Sequence, residues 1–466
     1  MTSQDTKTKL KVFYRSVAFQ AVIIGLISFT QPGIRGAIGF LGAGGLAKPS
    51  TSNVSNALMF AMMAAFAPFF SILTNKAGVK PVAFVGGMGG VFVSSALYEN
   101  SRSGNQWYIY LGSIISGIFT AAFWTSEATV CILYPDDRTR GLFIGIWQGI
   151  SKVGGVIAGA IAFSLNLKGT SAKEAVSLNT YIVLFSIQCL GPFLALLLSN
   201  PEKLHRKDGR TLRTNITQES LKQRFQAFSK IFKRKEILFL TPLFLVTTFW
   251  KPFESNYMAK HFTVRVRGLN SLLTSIVQLL TDVGMAVFLD NKWTSKKIKA
   301  RYTWIGVNIL MVAFFVYSIY IQYWLDHNPQ PRIDWNDAAF RKTYIPMVVF
   351  IISGEACFNW LYWIIGYFHF SPAEVSLISG FIRSTEALGQ TISYAIAYTH
   401  PNLLMNVSLS AGLYFAAAPF VTYGIWKYVD NEEVQDYYNS DSELQLESGE
   451  FQDERKNAES ISVASI

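Results

Sequence analysis

Nine charged side chains lie within long apolar stretches of the sequence, and they are its main candidates for chemistry. They are Arg35, Glu127, Lys152, Lys251, Glu254, Asp282, Glu355, Arg383 and Glu386. A charge at the centre of a membrane-spanning helix costs about 2.5–3.5 kcal/mol on insertion scales, so each should face a partner or a wet cavity. A carboxylate in a cavity of low dielectric constant could load and release a proton, because its charged form is disfavoured there.

Two pairs of these charges are close in sequence. Arg383 and Glu386 are three residues apart, so they share one face of a helix and can pair with each other. Lys251 and Glu254 have the same spacing, but Pro242 and Pro252 flank them. A broken helix and a plain i,i+3 pair are therefore both open for this segment.

Twelve apolar stretches, which we call spans 1 to 12, must position the charges. Their predicted bounds are 12–32, 54–73, 81–98, 107–131, 141–165, 178–199, 237–258, 268–289, 302–325, 343–368, 373–399 and 407–427. A hydrocarbon core of about 30 Å needs about 20 apolar residues of helix, which most of these stretches supply. Charged residues make up only 15% of the chain. The sequence therefore predicts an all-α polytopic membrane protein, with the lipid bilayer as its partner.

The distribution of Lys and Arg predicts the orientation of the spans. With the N-terminus in the cytoplasm, the cytoplasmic loops and span ends hold 25 Lys and Arg, and the opposite side holds ten. This asymmetry is the positive-inside pattern and predicts cytoplasmic N- and C-termini. The net charge of +11 is thus explained by orientation and lipid contact, and it does not indicate a nucleic-acid partner.

A polar loop separates two apolar halves, and a polar segment lies at each end of the chain. We expect a cytoplasmic N-terminal segment at 1–11, a first six-helix half at 12–199 and a second at 237–427. The loop at 200–236 between the halves carries eleven Lys and Arg, which suits an anionic inner leaflet. The tail at 428–466 is acidic and poor in aromatic residues, which predicts disorder in the cytoplasm.

The two halves carry a weak internal repeat. Residues 145–162 align without gaps to residues 380–397, and LTNK at 73–76 matches LDNK at 289–292. The two separations are 235 and 216 residues, and the long loop at 326–342 can absorb the difference. The pattern predicts two related six-helix units, although short apolar matches also arise by chance.

Three glycines at the start of span 5 repeat every four residues. Gly141, Gly145 and Gly149 therefore share one helical face. Such a face lets a neighbouring helix approach closely, so we expect packing there.

The loop after span 2 resembles the major facilitator signature, which has a glycine, then an acidic and basic pair, then Gly-Arg-Lys. The sequence here is SILTNKAGVK at 71–80. Ser71 replaces the glycine and Asn75 replaces the aspartate, while Lys76, Gly78 and Lys80 remain. The usual gating salt bridge of that family would therefore lack its aspartate.

Further segments resemble fungal members of the Unc-93-like family. They are IGFLGAGG at the end of span 1, FWTSEA at 123–128, Tyr-Pro after span 4, Arg-Gly and Gly-Gly-Val-Ile-x-Gly in span 5, and NWLYWIIGYF at 359–368. The likeness covers nearly all twelve spans and implies the major facilitator fold. It implies little about the substrate, because that family includes transporter-like proteins and proteins described as channel regulators or trafficking partners.

In the major facilitator plan, spans 1, 4, 7 and 10 line a central cavity. Each of these spans carries charge, which makes a candidate set for substrate or proton: Arg35, Glu127, Lys251, Glu254 and Glu355. Glu127 is about four residues from the end of its span, so a gate or an interface residue is the alternative. Spans 5 and 8 abut in this plan, so Lys152 and Asp282 can form a bridge, unless each meets another partner or a backbone carbonyl.

The sequence favours a secondary transporter of a small organic solute, driven by a proton or substrate gradient. It contains no G-x-x-x-x-G-K-[ST], no H-E-x-x-H and no Cys/His metal spacing, so no cofactor, no metal and no enzyme activity are expected. The alternative is a protein of this fold that no longer transports and that regulates or escorts another membrane protein. Asn75 favours the alternative, and the charges in all four cavity spans favour transport.

Overall fold

The computed structural model describes residues 11–46, 48–134, 140–168, 175–204, 234–290, 294–368 and 372–429. Within these ranges the chain is almost entirely helical, and an isolated β-bridge joins Phe262 to Ile333. The helices of the first half are Val17–Ser28, Phe29–Gly33 and Ile34–Phe40 (span 1), Pro49–Ala77 (2), Val79–Gly86 and Gly89–Ser103 (3), Trp107–Leu133 (4), Arg140–Asn166 (5), and Leu178–Gln188 and Leu190–Ala195 (6). Those of the second half are Lys235–Val246 and Lys251–His261 (span 7), Val264–Asp290 (8), Lys296–His327 (9), Phe340–Tyr367 (10), Pro372–Thr399 (11) and Leu403–Tyr428 (12).

These helices confirm the twelve predicted spans. Ten of the spans within the described residues are long and apolar enough to cross a membrane. The other two are span 7, whose helix is interrupted, and span 11, which carries Arg383 and Glu386. Successive spans run in opposite directions. We call the side that holds Lys11 and Val429 the termini side, and the side that holds Gly104 and His400 the distal side.

Spans 1 and 7 are both irregular near their middle. The predicted end of span 1 at residue 32 is wrong, because the helix continues to Phe40. Pro32 lacks an N–H group and would interrupt an α-helix, but a π-helical turn at Phe29–Gly33 accommodates it. In span 7 the helix ends at Val246 and resumes at Lys251, so the broken-helix prediction holds.

Two pairs of spans hold the halves together. Span 5 packs on span 8, where a Cβ built on Gly159 would lie 2.7 Å from Leu272 Cα. Span 2 packs on span 11, where Ser384 Oγ donates to the carbonyl oxygen of Ala64 at 2.7 Å. These four spans therefore make most of the interface between the halves.

On the distal side the halves are joined by a set of hydrogen bonds, which we call the distal latch. Arg267 at the start of span 8 is fully buried and donates to the carbonyl oxygens of Leu41 at 2.6 Å and Gly42 at 2.7 Å. Gly42 has a φ of 70°, a left-handed conformation that glycine adopts readily. Three further bonds complete the latch: Asn270 Nδ2 to Phe40 O at 2.8 Å, Ser271 Oγ to Ala37 O at 2.7 Å, and Ala43 N to Ser255 Oγ at 2.8 Å.

Toward the termini side, spans 5 and 8 are less tightly packed. A Cβ built on Gly145, Gly149 or Gly284 would meet no atom within 4 Å. The prediction that the glycine face at the start of span 5 packs closely is therefore wrong for Gly145 and Gly149. Close contact is made instead in the distal half of the same span, by Gly154 and Gly159.

Candidate functional site

A cavity of about 360 Å³ lies between the two halves, and it gathers the buried charges. Spans 1, 2, 3, 4, 5, 7, 8, 10 and 11 contribute to its wall. Eight of the nine candidate charges line it: Arg35, Glu127, Lys152, Lys251, Glu254, Glu355, Arg383 and Glu386. The volume is within the range of about 300–1,000 Å³ that is usual for small-molecule sites.

The ninth charge, Asp282, is bound to the cavity wall through Lys152. Lys152 Nζ lies 2.8 Å from Asp282 Oδ2 and 3.5 Å from Glu355 Oε2. We call these three residues the Lys152 network. Lys152 comes from the first half and both carboxylates come from the second, so the network joins the two halves. The sequence analysis proposed a bridge between Lys152 and Asp282. It did not predict that Glu355 is a further partner of Lys152.

Amide side chains fix the two carboxylates. Asn359 Nδ2 donates to Asp282 Oδ1 at 2.6 Å, and Gln278 Nε2 donates to Glu355 Oε1 at 2.5 Å. One cation thus faces two carboxylates, which leaves one negative charge in excess when both are ionised. A proton bound to either carboxylate would remove that excess, so the network can exchange a proton without losing its ion pair.

A second network surrounds Arg383 near the termini side. Arg383 Nη1 lies 3.1 Å from Glu386 Oε2, and Tyr362 Oη donates to both oxygens of Glu386 at 3.1 Å. The guanidinium of Arg383 also lies over the ring of Trp124, 4.1 Å from its centroid, which is a favourable cation–π contact. Because Trp124 belongs to span 4, the local pair of span 11 also contacts the first half.

Glu127 is buried beside this second network. Its side chain is 2% exposed and accepts hydrogen bonds from Ser28 Oγ and from Trp147 Nε1, the latter at 2.8 Å. Spans 1, 4 and 5 therefore enclose the carboxylate. This position excludes the interface alternative that the sequence left open and leaves the gate and cavity alternatives.

Three candidate charges stand apart from both networks. Among the described residues neither Arg35 nor Lys251 makes an ion pair, and Arg35 Nη1 has only a long hydrogen bond of 3.4 Å to Ser116 Oγ. Glu254 is 4% exposed, and its Oε1 has no hydrogen-bond partner in the described part of the chain. The plain i,i+3 pair of Lys251 and Glu254 is thus absent there.

The signature-like loop after span 2 is a sharp turn. Gly78 has a φ of 89°, which favours glycine, and it separates the helix ending at Ala77 from the one beginning at Val79. The backbone of Asn75 and Lys76 is helical, and their side chains lie outside the described set. Lys80 is half-buried.

Sequence reasoning missed two features of this region. It did not select Trp124, because a single tryptophan in an apolar span usually packs in a core or a membrane interface. It placed Arg267 just outside span 8 and did not select it, because an arginine near the end of an apolar helix usually extends to the membrane interface. Among the described residues no group of three His, Cys, Asp or Glu side chains could hold a metal ion.

Known proteins share both the sequence pattern and the fold. The sequence model of the Major Facilitator Superfamily matches residues 16–394. The notoamide biosynthesis cluster protein O′ of Aspergillus versicolor is 31% identical over 412 residues, which cover 88% of each chain. A UNC93-like protein of Schizosaccharomyces pombe is 24% identical over 82% of this chain and 76% of its own, and UNC93-like protein 1 of Arabidopsis thaliana is 23% identical over 91% and 93%.

Two solved structures have the same fold at low identity. The crystal structure of a D-xylose-proton symporter matches with a TM-score of 0.56 and 14% identity, over 88% of this chain and 97% of that one. The xylose transporter of E. coli in a partially occluded, inward-open conformation matches with a TM-score of 0.58 and 14% identity, over 90% and 98%. At this identity the likeness concerns the fold.

Proposed function

The chain belongs to the Major Facilitator Superfamily and is a multi-pass integral membrane protein with the fold of a membrane transporter, and we propose that it is a secondary active transporter of a small organic solute. The observation that carries the proposal is the cavity between the halves, which is lined by charges from both. A non-transporting scaffold would have no need for so many costly charges.

Alternating access explains how the solute would move. The distal latch holds the halves together on one side, while Gly145, Gly149 and Gly284 have open space toward the other. The cavity would therefore load or release solute on the termini side in this conformation. Opening the latch and closing the termini side would expose the same cavity to the distal side.

We infer that the termini side is cytoplasmic. The support is the excess of Lys and Arg at that side of the spans, which is the positive-inside pattern. The distal latch would then face the extracellular space or an organelle lumen.

Proton coupling is proposed for the Lys152 network. Its two carboxylates compete for one cation at the cavity wall, so a proton can replace part of the ion pair. Movement of that proton during a cycle would tie solute transport to a proton gradient. One structural neighbour is a D-xylose-proton symporter, which is compatible with this coupling.

A small organic solute also suits the names of the relatives. One of them is named for a biosynthesis cluster of an organic metabolite. The UNC93-like names of others, together with Asn75 in place of the signature aspartate, favour the alternative of a regulatory or trafficking partner for another membrane protein.

A comparison of cells that express the chain with cells that lack it distinguishes transport from the regulatory function. Metabolites should be measured inside and outside cells that express the chain and cells that lack it, and any metabolite that differs should then be tested for uptake into vesicles containing the purified protein. Uptake above that of protein-free vesicles supports transport. If no metabolite differs, while another membrane protein is mislocalised in the cells that lack the chain, the regulatory function replaces this proposal.

A further inference from the structure

Arg35 and Lys251 occupy equivalent positions in the two halves. Lys251 follows Arg35 by 216 residues, the same separation that relates LTNK after span 2 to LDNK after span 8. Each cation comes directly after the irregular part of its span, which is the π-helical turn Phe29–Gly33 in span 1 and the break before Lys251 in span 7. The fold therefore presents one cation from each half to the same cavity.

These two cations make no ion pair in the described part of the chain. Among the described residues, the other two cations of the cavity are paired, Lys152 with Asp282 and Glu355, and Arg383 with Glu386. Lys251 interacts electrostatically with Glu355, Glu386 and Glu254, but in the described residues none of these carboxylates lies within ion-pair distance of it. The direct contacts of Arg35 and Lys251 are therefore left to water or to a ligand.

Polar atoms without partners also lie on the wall of this cavity. Thr248 and Gln390 are 5% and 7% exposed, and in the described part of the chain Thr248 Oγ1 and Gln390 Oε1 make no hydrogen bond. Thr248 lies in the break of span 7, three residues before Lys251. Buried polar atoms are usually hydrogen-bonded, so an unpaired set on a cavity wall indicates a ligand that supplies the bonds.

We propose that Arg35 and Lys251 bind the carboxylate of an organic anion, so that the solute of the proposed transporter is an organic acid. This inference rests on the proposed function and deepens it. A carboxylate accepts hydrogen bonds from a guanidinium and an ammonium, and such charge-assisted bonds are stronger than bonds between neutral groups. The rings of Phe60, Trp124 and Trp250 on the wall would contact an apolar body attached to the carboxylate.

Binding of the acid would link the two halves. Arg35 moves with the first half and Lys251 with the second, so a carboxylate held by both would favour conformations in which the halves are close. Such differential affinity is what a solute needs in order to shift the equilibrium between conformations.

A binding experiment with matched acids and amides tests the inference without transport. The full chain is purified in detergent and titrated calorimetrically with benzoate, cinnamate and octanoate, and with benzamide, cinnamamide and octanamide. At least one acid should bind at least about tenfold more tightly than its amide, because the amide has the same shape without the charge. R35Q and K251Q should each weaken that acid by about tenfold and leave the amide unchanged.

Control variants and opposite outcomes complete the test. R301Q removes a cation on the termini side that lies over Trp426, and it should not change acid binding. R35K and K251R keep the charges and should keep the acid preference, which makes the test independent of misfolding in R35Q or K251Q. If the parent chain binds every acid and its amide equally, the inference is overturned, even if vesicles transport a neutral solute. If the chain prefers the acids but vesicles show no transport, the proposed function is overturned and the inference about acid binding stands.

Discussion

Gly154 lies so close to the backbone of Phe29 that a Cβ at Gly154 would be 2.7 Å from the Phe29 carbonyl oxygen. The second half repeats this contact, because a Cβ at Gly389 would overlap the carbonyl oxygen of Leu245. Gly389 follows Gly154 by 235 residues and Leu245 follows Phe29 by 216, which are the two separations found in the sequence repeat. In both halves a glycine therefore lets span 5 or span 11 contact the irregular region of span 1 or span 7.

These contacts predict the effect of adding one methyl group. G154A and G389A should each lower the free energy of unfolding by about 1–3 kcal/mol, because the new Cβ meets backbone that cannot rotate away. The loss should be larger for G389A, whose contact is tighter. Thermal unfolding of the purified proteins, followed by tryptophan fluorescence, measures both.

G145A is the matched control for the glycine prediction. Gly145 lies in the same helix as Gly154, and its Cβ would meet no atom within 4 Å. Alanine also favours a helix over glycine by about 1 kcal/mol, so G145A should be neutral or stabilising. Equal losses in G145A and G154A would contradict the contact with Phe29.

The Lys152 network predicts a non-additive pair of mutations. K152A removes the only cation that contacts Asp282 and Glu355 in the described residues, and it should destabilise the protein by about 3 kcal/mol, near the lower end of the cost of breaking a buried pair. D282A in the K152A background removes one stranded carboxylate and should restore part of the folded yield. Yield is measured as the monodisperse fraction in size-exclusion chromatography.

Glu355 determines how much of the folded yield the double variant K152A/D282A should recover. Because it also contacts Lys152, it stays without its cation in the double variant, so adding E355Q should recover more yield than D282A does alone. Losses that are strictly additive across K152A, D282A and E355Q would rule out the network.

The distal latch predicts a change in access to the cavity. R267K keeps the charge but cannot reproduce the bonds to Leu41 and Gly42, so the distal side should open more often. G39C introduces a thiol at a position that lines the cavity with no atom near its Cβ. A membrane-impermeant maleimide added from the distal side should label G39C with R267K several times faster than G39C alone.

Two controls accompany the labelling. Asn105 lies on the exposed distal loop between spans 3 and 4. The thiol introduced by N105C should be labelled at the same rate with and without R267K. The parent chain measures any reaction of Cys131, Cys189 and Cys357. An unchanged rate for G39C would mean that Arg267 does not hold the distal side closed.

Much of the fold could be predicted because hydrophobic length is a strong signal. The break in span 7 followed from Pro242 and Pro252, and the helix there ends at Val246. The predicted end of span 1 at residue 32 was too early, because the apolar pattern does not show that a π-helical turn carries the helix past Pro32 to Phe40. The glycine face of span 5 was misjudged for a related reason: a helical face can be predicted, but the element that covers it depends on how the halves are arranged.

The candidate site was predictable as a set of residues and less so as a set of contacts. Charges within apolar spans identified the residues that line the cavity, since each must have a physical reason to be there. The local pair of Arg383 and Glu386 followed from its spacing and is present at 3.1 Å. Contacts across the cavity, such as Arg383 with Trp124 or Lys152 with Glu355, depend on the relative depth and rotation of separate helices, which one sequence does not specify.

Topology can be tested with reporters outside the described residues. Fusions after Asp208 in the basic loop and after Asp430 at the start of the tail should both lie in the cytoplasm, because six spans separate the two positions. Protease added to intact right-side-out vesicles should leave the acidic tail whole. Reporters on opposite sides of the membrane would refute the even number of spans in the second half.

The last prediction concerns Glu355, which contacts Lys152 and Gln278 on the cavity wall and interacts electrostatically with Asp282 and Lys251. E355Q keeps the shape and the hydrogen bond from Gln278 but removes the titratable group. Solute transport by E355Q should lose its pH dependence, while expression and localisation stay near those of the parent. The measurement is uptake into vesicles between pH 5 and pH 8, with and without an imposed proton gradient.

N359D is the matched control, because it changes the amide beside Asp282 and leaves Glu355 and Gln278 in place. Its uptake should still vary with pH, although the profile can shift with the added carboxyl group. If E355Q keeps the parental rate and pH profile, Glu355 has a structural role and proton coupling loses its leading residue. If E355Q abolishes uptake at every pH while remaining folded, Glu355 is needed for binding or for the conformational change. Proton coupling is then measured on the parent chain, as proton movement driven by a solute gradient.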